Sequence, residues 1–139
     1  MLRARLLQGP AGAAGLIRLR PGEGGIAGLA GRVAPVLPVS VMVLGMGEDG
    51  HVASLFPGAA GLQEALAPEA PPVARLAPAD QPEARITLTA PVLTGAMAVH
   101  LVIAGEAKRR ALEAALAHGD VARAPVLLVA RSAQIHWAA

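Results

Sequence analysis

The segment V-S-V-M-V-L, Val39 to Leu44, is an apolar run rich in β-branched residues, interrupted only by Ser40, and it ends in glycine. A strand of this composition is expected to be covered on both faces, as in a parallel sheet. The chain then reads G-M-G-E-D-G-H-V-A-S-L-F-P-G from Gly45 to Gly58. A buried strand feeding directly into a glycine-rich turn restricts the fold more than any other feature of the sequence. It predicts an α/β protein whose ligand site lies where that strand ends.

Gly45-Met46-Gly47-Glu48-Asp49-Gly50 matches G-x-G-x-x-G letter for letter. A dinucleotide turn of that form must open a sustained helix and be followed about 20 residues later by an acid that holds a ribose. Pro57-Gly58 stops any helix soon after the turn, and Glu69 sits in A-P-E-A-P-P, which is no central strand. Glu48, Asp49 and His51 also crowd charge where a pyrophosphate needs bare amides. The dinucleotide reading fails on context.

The remaining pattern supports the same fold class. Residues 2–8 read as the end of a helix stopped by Gly9-Pro10, and Leu16–Leu19 as a short alternating strand. Residues 26–36 have helical spacing, and residues 50–55 allow one or two helical turns before Pro57. Residues 67–84, rich in proline, read as an irregular connection. Arg85–Thr89, Val99–Ala104 and Pro125–Ala130 are the further expected strands. Glu106–His118 is the clearest helix, with Leu112, Ala115 and Leu116 on one face and Gly119 placed to cap it. Strands alternating with helices predict a Rossmann-like three-layer sandwich with a mostly parallel sheet, in a single domain over 1–139.

Charge and composition remove several classes. The pI is about 10.4, yet the net charge is only +2, because no Cys or Tyr titrates between the histidines and the basic residues. Lys108-Arg109-Arg110 is the one basic run and aromatics make up 1%, which argues against a nucleic-acid surface. Gly, Pro and charged residues interrupt every apolar run before membrane-spanning length, and the first ten residues do not read as a signal peptide. The absence of cysteine excludes disulfides and thiolate metal sites. A cytoplasmic protein acting on a small anionic molecule is the expectation.

Asp49 and His51 are the residues with chemistry at the expected site. Histidine accepts a proton near neutral pH, and a nearby carboxylate orients its ring. Gly45, Gly47 and Gly50 let the backbone turn sharply and approach a bound molecule. From residue types alone two readings stay open: a site, or a solvated turn with a capping Asp and an incidental His. Asp49-x-His51 lacks a third metal ligand. Ser54 lacks the strand-nucleophile-helix elbow of a hydrolase serine. His100 reads as a core or edge residue, His118 as a helix-end residue, and His136 has no assigned role.

The longer run L-G-M-G-E-D-G-H-V-A-S-L-F-P-G closely resembles the central motif of the 6-phosphogluconolactonases. R-I-T-L-T at Arg85–Thr89, H-L-V-I-A-G-E-A-K-R from His100 to Arg109, and Ile135-His136-Trp137 resemble further family segments in the same order. The related glucosamine-6-phosphate deaminases share the turn but continue in an A-F-N-E-P form. Here Ser54-Leu55-Phe56-Pro57 follows, the lactonase form. The resemblance implies hydrolysis of 6-phospho-D-glucono-1,5-lactone to 6-phosphogluconate in the oxidative pentose phosphate pathway, with no metal or organic cofactor. It implies His51 as general base, Asp49 as its carboxylate, and the turn glycines facing the substrate. Lys108 is implied as a phosphate contact and Arg85 as a second one.

Departures from the family matter equally. Its members are about twice as long and carry an earlier Gly-rich loop, a D-E-R segment and a Ser-Asn stretch that do not occur here. Ser40 stands where the family usually has Asp, and a basic residue is replaced near Met97. The resemblance therefore reads as the C-terminal half of the domain. That reading predicts self-association through an exposed edge, or reliance on a partner segment, and weak or no hydrolysis by these residues alone. The alternative is a non-catalytic remnant that binds sugar phosphate or a partner subunit.

Overall fold

A computed structural model describes residues 2–5, 7–79 and 82–139. Its centre is a three-stranded parallel sheet formed by β1 (Met42–Leu44), β4 (Val99–Ala104) and β5 (Gln134–Ala138), in the order β1-β4-β5. Between β1 and β4 the chain forms α3 (Leu62–Leu66), an antiparallel hairpin of β2 (Val73–Leu76) and β3 (Arg85–Leu88), and α4 (Ala90–Thr94). Two further helices, α5 (Glu106–His118) and α6 (Leu127–Ala130), link β4 to β5. Upstream lie α1 (Leu2–Arg5) and α2 (Gly25–Val33). The α/β class with a parallel sheet is as the sequence pattern predicts.

Register follows side-chain alternation. Met42 pairs with Val99, and Leu44 with Leu101, while Leu101 also stands beside Ile135. Met42, Val99, Leu101 and Ile103 point into the core, where they join Leu112 and Ala115 of α5 and Val129 of α6. Fully burying a side chain of this kind stabilises the fold by about 1.5–3 kcal/mol. A smaller core of Leu29, Val33 and Val73 seats α2 on the hairpin.

Helix α5 has the predicted bounds. Gly119, at φ 71°, closes it by donating its N–H to the Ala115 carbonyl over 2.9 Å. On its solvent side the Arg109 guanidinium pairs with Glu106 at 2.6 Å and Glu113 at 2.7 Å. The Arg109 hydrogen bond holds the Glu106 carboxyl below its ordinary range, and Glu106 in turn raises Arg109.

Several local expectations are overturned. Residues 16–19 form no strand, because their alternation meets no partner ladder; Ile17 and Leu19 stay exposed. Residues 50–55 are turns and isolated bridges rather than helix, because Gly50 and Ala53 both take positive φ. The proline-rich connection contains β2, which the flanking prolines disguise; Asp80 and Gln81 lie outside the described residues. Arg85–Leu88 is a strand, but it pairs antiparallel with β2, outside the parallel sheet. Pro125–Ala130 is not the last strand. Leu127, Val129 and Ala130 are buried in the short helix α6, and the strand comes later as Gln134–Ala138. In the expected helical end at 2–8, Leu2–Arg5 is helical and Leu6 lies outside the described residues.

The strand expected to be covered on both faces is covered on one. Val41 and Val43 are 59% and 67% exposed, and Val102 on β4 is 49% exposed. Helices α5 and α6 pack with the opposite, buried face.

Candidate active site

β1 ends at Leu44, and Gly45 begins the turn. The Gly47 N–H donates to the His51 carbonyl at 3.0 Å, and the Gly50 N–H donates to the Gly47 carbonyl at 3.0 Å. These two bonds fold residues 47–51 into a compact loop that brings His51 back over Asp49. Asp49 Oδ1 accepts the His51 backbone N–H at 3.1 Å and lies 2.6 Å from His51 Nδ1. A carboxylate only accepts, so in the neutral ring Nδ1 carries the proton and Nε2 keeps its lone pair. That is the tautomer a general base requires.

The glycines have distinct reasons. A Cβ on Gly47 would overlap both the His51 ring and the Asp49 carboxylate, so this position must be bare for the pair to form. Gly50 has φ 79° and packs against Ala124, while its carbonyl accepts the Val126 N–H at 2.9 Å. That contact ties the loop to α6. Just beyond, Ala53 adopts φ 53°, an uncommon conformation for a residue with a Cβ.

Three residues outside the predicted site brace the turn or the strand beside it. The ring of Phe56, the only phenylalanine, lies 4.3 Å from the His51 ring centroid at 37°. Thr87, buried on β3, accepts the Ser54 N–H at 3.1 Å and donates to the Leu88 carbonyl at 2.9 Å. Thr89, also buried, donates to the Pro71 carbonyl at 2.7 Å. The signal for both was present: Thr87 and Thr89 fall on one side of an alternating strand.

His51 separates two hollows. One, of about 410 Å³, is lined by Val43, Leu44, Gly45, His51, Ala53 and Lys108. The other, of about 360 Å³, holds Glu48, Asp49, Phe56, Pro57 and Pro78 against His51. Lys108 is the charged residue at the first, and Glu48 and Asp49 are those at the second. Lys108 lies in the first turn of α5, where unpaired amides also favour an anion. Arg85 is exposed at the start of β3 and is not among the residues lining either hollow. Thus the fold brings His51, Asp49, Gly45 and Lys108 to one place and leaves Arg85 outside it.

The other histidines serve elsewhere. His100 Nδ1 and His136 Nε2 are 2.9 Å apart on neighbouring strands. His118 accepts the Asp120 N–H at the end of α5. Among the described residues no group of three His, Cys, Asp or Glu side chains is placed to hold a metal ion, and no helix is long and apolar enough to cross a membrane.

This arrangement is an open α/β protein with a hydrogen-bonded His51–Asp49 pair and Lys108 near the end of its first strand. Residues 23–137 match the sequence profile of the glucosamine-6-phosphate isomerases/6-phosphogluconolactonase family, and the chain belongs to that family. A 6-phosphogluconolactonase of Pseudomonas aeruginosa is 44% identical over 73% of this chain and 43% of its own length. One from Mesorhizobium japonicum is 36% identical over 99% of this chain and 61% of its own. The crystal structure of a 6-phosphogluconolactonase from Shewanella baltica superposes with a TM-score of 0.88 at 31% identity, over 99% of this chain and 63% of that one. The chain spans about half the length of the curated relatives it matches.

Proposed function

We propose that this chain carries the catalytic turn of a 6-phosphogluconolactonase, acting on 6-phospho-D-glucono-1,5-lactone. The observation that carries the proposal is the His51–Asp49 pair beside a hollow whose other wall is Lys108. His51 Nε2 takes a proton from water, and the resulting hydroxide adds to the lactone carbonyl carbon. Negative charge develops on the carbonyl oxygen, and the Gly45 amide at the strand end is the local donor for it, since the Gly47 and Gly50 amides are bonded within the loop. The ring C–O bond then breaks, and protonated His51 returns its proton to the leaving ring oxygen. A base of this kind contributes about 10²–10⁴-fold. Lys108 and the start of α5 receive the phosphate.

The relatives named above are lactonases, and Ser54-Leu55-Phe56-Pro57 favours that branch over the isomerases: Leu55 is buried and Phe56 braces His51, so neither position offers a second acid–base group. A cytoplasmic setting, where sugar phosphates are held, belongs to the same proposal.

Lys108→Gln tests the substrate assignment. Loss of one charge-assisted hydrogen bond, about 1.5–3 kcal/mol, corresponds to about a 10- to 100-fold fall in kcat/KM. It is expected for the phosphorylated lactone through KM, with unphosphorylated glucono-1,5-lactone unaffected. An equal effect on both lactones would contradict phosphate recognition at Lys108.

A further inference from the structure

Gly105 stands at the amino end of α5 and has no side chain with which to cap it. Its carbonyl accepts the first helical N–H, that of Arg109, over a long 3.4 Å. A second donor reaches the same oxygen: the Trp137 indole Nε1–H, at 3.2 Å. The Gly105 N–H in turn donates to the Ala138 carbonyl at 2.9 Å. Both polar backbone groups of Gly105 are thereby tied to the end of β5, where Trp137 stands beside Ile103 and Ala138 beside Ala104.

The face of the indole is engaged as well. The Arg109 guanidinium lies 5.7 Å from the Trp137 ring centroid, within the range of cation–π attraction. Glu106 and Glu113 hold that guanidinium at 2.6 and 2.7 Å. Arg109 is thus committed to the indole and the two glutamates, and it does not line the hollow that contains His51. Lys108 does. It lies in the single turn of helix between Gly105 and Arg109, the two residues that Trp137 anchors.

We infer that Trp137 is a positioning residue for the phosphate-receiving start of α5, an inference that rests on the phosphate role proposed for Lys108. The first-turn amides of a helix have no helical acceptor, and they bind an anion only where they point at it. Trp137 sets that direction. Through Gly105 and Arg109 it holds the Glu106, Ala107 and Lys108 amides, and the base of the Lys108 side chain, in one orientation toward His51. Trp137 itself lies outside the lining of the hollow, so it acts through the helix start and not on the phosphate.

The test titrates the chain with inorganic phosphate and follows two signals. Trp137 is the only tryptophan, so its emission reports on this one place. A saturable change in emission is expected as phosphate is added, and its absence is expected in Lys108→Gln. Phosphate affinity is measured separately by phosphorus NMR. It is expected to fall about three- to tenfold in Trp137→Phe, the scale of one hydrogen bond. That variant keeps an aromatic face for Arg109 and removes the N–H. A purely structural role would lower the thermal transition and leave phosphate affinity as it was. Flat emission at saturating phosphate would overturn the positioning role, and this readout needs no variant that folds. So would unchanged affinity in Trp137→Phe alongside a loss in Lys108→Gln, and in that case the phosphate reading of Lys108 stands. Equal phosphate affinity in the parent chain and Lys108→Gln would overturn both.

Discussion

His51 Nδ1 lies 2.6 Å from Asp49 Oδ1, and the same oxygen accepts the His51 backbone N–H at 3.1 Å. One carboxylate oxygen thus fixes both the main chain and the ring of His51, two residues away. The Phe56 ring packs against the same imidazole, its centroid 4.3 Å away.

Asp49→Asn keeps the shape of this contact but replaces the oxygen-only partner with an amide that also donates. A fall in kcat is expected, with KM for the phosphorylated lactone nearly unchanged, because Asp49 is assigned to the tautomer and not to the phosphate. A loss carried by KM alone would remove Asp49 from the role assigned to it.

Gly47→Ala tests the steric argument. Its Cβ would occupy space now held by the His51 ring and the Asp49 carboxylate. Displacing a reacting group by about 1 Å costs on the order of 10²-fold in rate. Turnover is predicted to fall by about that amount while the thermal transition stays sharp. Wild-type turnover in this variant would show that the pair does not need its observed geometry.

Thr87→Val removes a hydroxyl that bridges the loop to β3. The half-buried Ser54 N–H loses its acceptor, which costs about 1 kcal/mol, the low end for an unsatisfied donor. Denaturant titration is expected to register that loss, accompanied by a reduced kcat as the loop loosens. Unchanged stability would mean that the loop is held by its own turn alone.

Much of this was legible in the sequence, for identifiable reasons. Val99–Ala104 and Glu106–His118 were readable because a buried strand and an amphipathic helix leave different periods, and Gly119 marks the helix end. The Asp49–His51 pair was readable because a glycine turn makes their close spacing a contact. Residues 125–130 misled because a short apolar run serves a buried helix as well as a strand. β2 was hidden among prolines, which an outlying hairpin tolerates and a central strand does not. An exposed edge was expected from the resemblance, but the residues of the open valine face were not legible. Val41 and Val43 look like core residues, and only the arrangement of the neighbouring elements leaves them exposed.

The most direct measurement is the hydrolysis of 6-phospho-D-glucono-1,5-lactone, followed by NMR against its spontaneous rate, for the chain and for His51→Ala. A weak acceleration by the chain alone is expected, disappearing in His51→Ala. Equal rates for the two proteins would contradict the assignment of His51 as the base.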